Sequence, residues 1–158
     1  MYNLNSSKKI LRRKRKVNYI LIATHSELAE GMYKAIKFFN SENQTVDFLN
    51  CYINSNNVKE ELEEKIKNNL NKNIVICTDI AYGSVNQIAH ELQKTYEFHL
   101  ISGMNLAVML ELAFSTEDLT NERVTDIVTK GKDQLVYLNK LNANKKSEEV
   151  EQQDDDEL

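Results

Sequence analysis

Proline and tryptophan are absent from the 158 residues, and only four glycines are present. Proline, a common marker of turns and kinks, is therefore missing, so chain reversals must rest on Gly, Asn, Asp and Ser. With 41% hydrophobic residues, the chain can bury one core but hardly two. We therefore expect a single folded domain.

Cysteines and long apolar runs are also scarce. Cys51 and Cys77 lie in separate apolar segments, which is typical of buried thiols in a reducing compartment. No apolar run approaches the ~20 residues of a membrane span. The basic start of the chain is not followed by a secretory leader pattern. These features predict a cytoplasmic protein.

Charge is segregated along the chain, although the formal net charge is only -4. Residues 8–16 carry seven basic side chains, and residues 148–158 carry seven acidic ones. We interpret residues 1–16 and 142–158 as solvated, flexible tails around a domain of residues 17–141. Docking of the basic tail on anionic lipid or nucleic acid, or association of the two tails, is the alternative. The domain itself implies neither nucleic acid nor membrane as a partner.

Hydrophobic periodicity divides the domain into alternating strands and helices. Apolar runs predict buried strands at residues 17–23, 45–53, 74–78 and 98–102, and a short fifth strand at residues 135–138. Apolar residues three and four apart predict helices at residues 27–39, from 57, from 85, from 106 and over 119–130, with Gly131 as terminator. Thr24 with Glu27, or Ser26 instead, would cap the first helix. The succession favours an α/β fold with a mainly parallel four-stranded sheet and helices on both faces.

Polar residues follow three of the predicted strands. His25 follows the first strand, Asp79 and Ser84 follow the third, and Asn105 follows the fourth. Because the carboxyl ends of parallel strands meet at one edge of a sheet, we expect these residues to converge there. A histidine in this place can be a nucleophile if a carboxylate fixes its tautomer and a helix start receives an anion. Asp79 and the Gly83-Ser84 turn could supply both, but a structural histidine is the alternative.

The other candidate ligands and nucleophiles carry a weaker signal. His90 falls within the third predicted helix and His99 within the fourth predicted strand, so structural or surface roles are favoured for both. Three scattered histidines and two cysteines form no ligand cluster at a known metal-site spacing. We therefore predict no metal site.

Three segments at the ends of predicted strands carry the most specific signal. They are residues 22–32 (IATHSELAEGM), residues 78–87 (TDIAYGSVNQ) and residues 102–111 (SGMNLAVMLE). In this order they resemble the phosphorylation-site, Asp-Leu-x-Gly-Gly-Ser and Thr-Gly-Val-Asn-Leu segments of mannose-family IIA components of the sugar phosphotransferase system (PTS). The resemblance covers roughly residues 17–138.

The resemblance implies a phosphocarrier. His25 would be phosphorylated on the ring nitrogen remote from the backbone, Asp79 would orient the ring, and Gly83 and Ser84 would hold the phosphoryl group. The implied donor is the carrier protein HPr, and the implied acceptor is a IIB protein or domain. A homodimer that exchanges the strand at residues 135–138 is also implied. Membrane contact would come only through the permease, and no metal, nucleotide or other cofactor would be required.

The chain departs from the family pattern at three places. Ser26 replaces the usual Gly, Ala81-Tyr82 replaces a residue-Gly pair, and Ala107 replaces Pro. If the turn at residue 82 needs a positive φ, Tyr82 is strained there and could reshape the phosphate site.

Two other functions stay open on the sequence. One is the phosphocarrier subunit of PTS-dependent dihydroxyacetone kinase, in which the histidine is often followed by serine, as at His25-Ser26. The other is a non-catalytic regulatory module of the same fold, which the altered turn and the charged tails would suit.

Overall fold

Strands and helices alternate along the chain as far as residue 114, and one more helix follows. The computed structural model describes residues 17–39 and 45–139, so the predicted tails lie outside the described residues. The elements are β1 (Asn18–His25), α1 (Leu28–Phe39), β2 (Val46–Cys51), α2 (Val58–Lys67), β3 (Asn73–Thr78), α3 (Ser84–Leu92), β4 (His99–Ser102), α4 (Leu106–Phe114) and α5 (Asn121–Lys132).

The four strands form one parallel sheet in the order β2-β1-β3-β4. The central strand β1 pairs with β2 on one side and with β3 on the other, and it is buried from Asn18 to Thr24. A strand covered on both faces needs apolar residues at successive positions, which explains the nearly continuous apolar run in the sequence. The predicted parallel α/β fold is confirmed.

Helices cover both faces of the sheet. Alternate residues of β1 point to opposite faces, so Ile20 and Ile22 pack with α1, α4 and α5, whereas Tyr19 and Leu21 pack with α2 and α3. Burying one such aliphatic side chain contributes about 1.5–3 kcal/mol. Two apolar layers of this kind hold the strand ends in a fixed arrangement, and the candidate site is built on those ends.

Gly131 does not end the last helix as predicted. The helix α5 continues to Lys132, and Gly131 is buried within it. A Cβ atom at residue 131 would overlap the side chain of Val108 in α4. Glycine is therefore needed here because two helices approach closely, and not because the chain needs a left-handed terminator.

The predicted fifth strand is not a strand within the single chain. Residues 135–137 have no regular secondary structure, and a helical turn begins at residue 138. The Leu135 N–H donates to the Lys132 carbonyl, so this segment leaves α5 through a turn. An apolar run becomes a strand only when a neighbouring strand can pair with its backbone. Its four side chains, from Leu135 to Leu138, are exposed.

Within residues 17–39 and 45–139, no helix is both long enough and apolar enough to cross a bilayer.

Candidate active site

The carboxyl ends of three neighbouring strands meet at one edge of the sheet, which we call the carboxyl rim. The strand register places Ala23 of β1 beside Thr78 of β3, and His25 beside Cys51 of β2. Asp79 follows β3 directly, so it reaches the rim next to His25. The predicted convergence of these two residues is therefore a consequence of parallel pairing.

Asp79 holds His25 through both the backbone and the ring. Its Oδ2 accepts a hydrogen bond from the His25 N–H at 2.9 Å and lies 2.7 Å from Nδ1. Its Oδ1 accepts from the Ile80 N–H at 2.9 Å. Partial burial acts to raise the pKa of Asp79, but the hydrogen bonds from His25 and Ile80 outweigh it and hold this pKa below its ordinary value of 3.8. An ionised carboxylate can only accept, so Nδ1 carries the ring proton and Nε2 of the neutral ring has a free lone pair.

Ser84 lies on the other side of the imidazole ring. Its Oγ is 2.9 Å from His25 Nε2, and Ser84 is the first residue of α3. A Cβ atom on the preceding Gly83 would lie 2.7 Å from Ile80 Cγ2 and 3.3 Å from His25 Cε1, so glycine lets the helix start approach the ring. The first turn of α3 contains no acidic residue. Its free N–H groups and the positive end of the helix dipole therefore favour an anion beside Ser84.

Tyr52 belongs to the site although the sequence analysis did not identify it. It follows β2, and its ring stacks on the His25 ring with centroids 5.6 Å apart and planes 23° apart. Its hydroxyl donates to Ser84 Oγ at 2.9 Å. The predicted strand over residues 45–53 included Tyr52, whereas β2 ends at Cys51, so Tyr52 is the first residue beyond the strand at the carboxyl rim. An aromatic residue at the end of an apolar strand is usually part of the core, so the sequence pattern alone favoured a core position for Tyr52.

The family of the chain follows from sequence comparison. A family model described as EIIA-man, the PTS system fructose IIA component, matches residues 19–129. The chain belongs to this family. It is therefore a IIA component, a phosphotransfer protein of the PTS. No curated protein matches the chain significantly.

Solved structures share the fold of this IIA component. A phosphoenolpyruvate-dependent sugar PTS permease from Klebsiella pneumoniae aligns with a TM-score of 0.71 and 23% identity over 82% of this chain and 96% of its own. The mannose/sorbose specific IIA subunit from Enterococcus faecalis aligns with a TM-score of 0.69 and 17% identity over 77% and 94%. A PTS component EIIA from Streptococcus agalactiae has a TM-score of 0.69 and 20% identity over 78% and 99%.

Two positions where this IIA component departs from the usual glycine have a positive φ. Ser26 has a φ of 56° and Tyr82 has a φ of 64°. Tyrosine is strained in this region, as the sequence analysis anticipated for Tyr82. Asn86 Oδ1 accepts from the Tyr82 N–H at 3.1 Å, and Gln87 Nε2 donates to the Tyr82 carbonyl at 2.7 Å. These two hydrogen bonds hold the strained turn ahead of α3.

Three other polar residues lie outside the group formed by His25, Asp79, Ser84 and Tyr52. Asn105 caps α4, since its Oδ1 accepts from the Val108 N–H at 3.0 Å, and its Nδ2 donates to the Gly131 carbonyl at 2.8 Å. His90 is exposed in α3, and His99 opens β4 at the end of the strand opposite the rim. In the part of the chain that the structure describes, no three His, Cys, Asp or Glu side chains cluster as metal ligands.

Both cysteines are buried free thiols. Burial raises the pKa of Cys51 and of Cys77 to about 12. The nucleophilic thiolate is therefore scarcely populated at neutral pH. Neither cysteine therefore competes with His25 as the candidate nucleophile at the carboxyl rim.

Proposed function

We propose that this IIA component accepts a phosphoryl group from phosphorylated HPr on Nε2 of His25 and passes it to a IIB protein or domain for sugar uptake, in the cytoplasm. The observation that carries the proposal is the position of the His25 ring between Asp79 and Ser84. The carboxylate holds Nδ1, whereas Nε2 faces a hydroxyl at a helix start. The His25 side chain is 41% exposed, so a protein partner can reach it.

The proposed transfer forms one N–P bond and breaks another. The Nε2 lone pair attacks phosphorus while the bond from phosphorus to the donor's histidine nitrogen breaks, and that nitrogen keeps the bonding pair. The Nδ1 proton stays in its hydrogen bond to Asp79. The carboxylate therefore balances the positive charge that develops on the ring. In the transfer to the IIB acceptor, a nucleophile of the acceptor forms the new bond to phosphorus while the Nε2–P bond of His25 breaks and Nε2 keeps the bonding pair.

Donors for the phosphoryl oxygens lie around Nε2. Ser84 supplies a hydroxyl, and the first turn of α3 supplies backbone N–H groups next to Gly83. Fixed donors of this kind stabilise the negative charge that spreads over the transferred group. We propose this transfer without a metal or a nucleotide, because the bond that forms is an N–P bond like the one that breaks.

Apolar side chains on the carboxyl rim suit a protein partner. Three of them are exposed near His25. Leu28 is the first residue of α1, whereas Ile80 and Tyr82 belong to the turn before α3. Exposed apolar groups beside a reactive centre favour docking of another protein. We propose this surface as the place where the donor and the acceptor dock in turn.

We also propose that two copies of the chain associate through residues 135–138. These four residues are apolar and exposed in the single chain, and Leu135 is 92% exposed. An exposed apolar segment of this kind is a liability unless it is covered. A second copy would cover it by pairing, as the family resemblance implies.

The deciding experiment for the phosphocarrier is a transfer assay. Enzyme I, HPr and labelled phosphoenolpyruvate are incubated with the wild-type chain, with His25→Ala and with His90→Ala as the matched histidine control. We expect label on the wild type and on His90→Ala, and none on His25→Ala with its fold intact by circular dichroism. The label should be acid-labile and base-stable, as phosphohistidine is.

The same assay separates the alternatives. Label mapped to His90, His99 or Ser84 would contradict the assignment, and no label with an active donor would favour a regulatory module. The labelled protein is then offered to a IIB component and to an ADP-containing dihydroxyacetone kinase subunit. Release to the kinase subunit alone would show that the acceptor is not a sugar IIB component.

A further inference from the structure

Tyr52 occupies a position that packing does not explain. It is 39% exposed and belongs to neither apolar layer of the core. Its φ is 64°, a conformation that is uncommon for a bulky aromatic residue. Strained residues persist where the surrounding structure holds them, and they cluster at functional sites. The strain at Tyr52 turns the chain after β2 so that the ring covers His25.

The segment that carries Tyr52 is fixed to the end of β1, which carries His25. The Ser26 N–H donates to the Cys51 carbonyl at 3.0 Å, which joins the residue after His25 to the residue before Tyr52. The Tyr52 and His25 rings are stacked with centroids 5.6 Å apart, which is within the range of favourable aromatic pairs. The imidazole is therefore held from two directions, by Asp79 at Nδ1 and by the Tyr52 ring on its face.

The hydroxyl of Tyr52 determines where the Ser84 proton points. A serine hydroxyl has one proton to donate and two lone pairs to accept. Because the Tyr52 hydroxyl donates to Ser84 Oγ at 2.9 Å, the Ser84 proton is free to donate to His25 Nε2, also at 2.9 Å. Tyr52, Ser84, His25 and Asp79 thus form one directed chain of hydrogen bonds that ends on the carboxylate.

We propose that Tyr52 is a positioning residue for phosphoryl transfer at His25, and that its hydroxyl joins Ser84 in binding the phosphoryl oxygens once Nε2 is occupied. The inference rests on the proposed function. When the N–P bond forms, Nε2 can no longer accept a hydrogen bond, so the Ser84 proton turns to a phosphoryl oxygen. The Tyr52 hydroxyl has a single proton, so it then turns from Ser84 Oγ to a phosphoryl oxygen and supplies a second donor on the same side of the ring.

Two variants of Tyr52 and one control variant test the proposal. Tyr52→Phe keeps the ring and removes the hydroxyl. Tyr52→Asn removes both, but it relieves the backbone because Asn tolerates positive φ. Tyr96→Phe is the matched control, because the Tyr96 hydroxyl also donates to a side chain, Glu63 Oε1, at 2.7 Å. Tyr96 lies in the loop before β4, at the end of the sheet opposite the carboxyl rim.

The measurements are the rate of phosphorylation by phosphorylated HPr, the half-life of the phosphohistidine, and the ¹⁵N NMR shifts of the unphosphorylated His25 ring. For Tyr52→Phe we expect transfer and half-life to fall about three- to tenfold, the effect of one net hydrogen bond, and the Nε2 shift to move. For Tyr52→Asn we expect a larger loss of transfer with no loss of stability. A structural role alone would lower stability and transfer together.

The inference fails if Tyr52→Phe transfers at the wild-type rate with an unchanged half-life, or if Tyr96→Phe causes the same losses. It also fails if the Nε2 shift is the same in Tyr52→Phe and in the wild type. If instead the wild type takes no label on His25 from an active donor, the proposed function itself fails, which is a different result from an unaffected variant.

Discussion

One oxygen atom of Asp79 contacts His25 twice: Oδ2 accepts the backbone N–H at 2.9 Å and lies 2.7 Å from the ring Nδ1. The first contact fixes where the end of β1 lies relative to β3, and the second fixes the ring and its tautomer. Structure and reactivity at this site therefore depend on the same carboxylate, and its replacement should affect both.

Replacing Asp79 by asparagine should slow phosphorylation of His25 by about 10- to 100-fold, since a hydrogen bond to a charged group contributes ~1.5–3 kcal/mol. The amide can offer an N–H to Nδ1 and cannot balance charge on the ring. The measurement is the single-turnover rate with phosphorylated HPr, with Asp133→Asn as a control at the exposed end of α5. Equal rates for Asp79→Asn and the wild type would remove Asp79 from the mechanism.

The stability contributed by Asp79 should depend on pH. Hydrogen bonds from His25 and Ile80 outweigh partial burial and lower the folded-state pKa of Asp79 below 3.8. A lowered carboxyl pKa gives stability that is present above the unfolded-state value and is lost as the pH falls through the folded-state value. Urea unfolding from pH 6 downwards should therefore show the wild type losing its advantage over Asp79→Asn below about pH 4. A difference that stays constant to pH 2.5 would contradict this linkage.

Replacing each of two glycines by alanine should change the free energy of unfolding in opposite directions. Gly131→Ala should lower the free energy of unfolding by about 1–3 kcal/mol, because the new methyl group would overlap the Val108 side chain. Gly31→Ala should raise it by about 0.5–1 kcal/mol, since Gly31 lies in α1 with nothing within 4 Å of the new Cβ atom. Denaturant unfolding of both variants tests the pair, and a stabilised Gly131→Ala would show that α4 and α5 can separate without cost.

Relieving the strained turn before α3 should affect stability and docking differently. Tyr82→Gly removes an aromatic side chain from a φ of 64° and should raise the free energy of unfolding by about 1 kcal/mol. The Tyr82 side chain is 85% exposed on the proposed docking surface, so its loss should raise the KM for phosphorylated HPr and leave kcat nearly unchanged. A large fall in kcat would instead mean that the turn positions the phosphoryl group through Tyr82.

Association through residues 135–138 predicts a dimer mass in light scattering at micromolar concentration. Leu135→Lys, at a side chain that is 92% exposed, should give a monomer with its fold unchanged. Phe38→Ser is the matched control, because Phe38 is 84% exposed on α1 and lies outside this segment. A monomer mass for the wild type would rule the dimer out.

The positions of the site residues followed from the sequence to the extent that they depend on strand direction. The apolar runs before His25 and Asp79 identified two buried parallel strands, and parallel strands bring their carboxyl ends to one edge. Asn105 reached an equivalent place after β4, yet its side chain caps α4 and binds α5. Sequence spacing shows which strand end a residue follows, but it does not show which neighbour takes up its hydrogen bonds.

Sequence alone determined the order of elements from β1 to α5, the parallel sheet and the approach of Asp79 to His25, because the pattern of apolar residues identifies each strand and helix. Only the tertiary structure decided the role of Gly131, the irregular conformation of residues 135–137 and the position of Tyr52 over the His25 ring. These three features depend on loop dihedral angles and on contacts between elements that are distant in the chain. Neither produces a periodic pattern in the sequence. Tyr52 reaches His25 because its φ is 64°, a value that its side chain disfavours and the rest of the fold imposes.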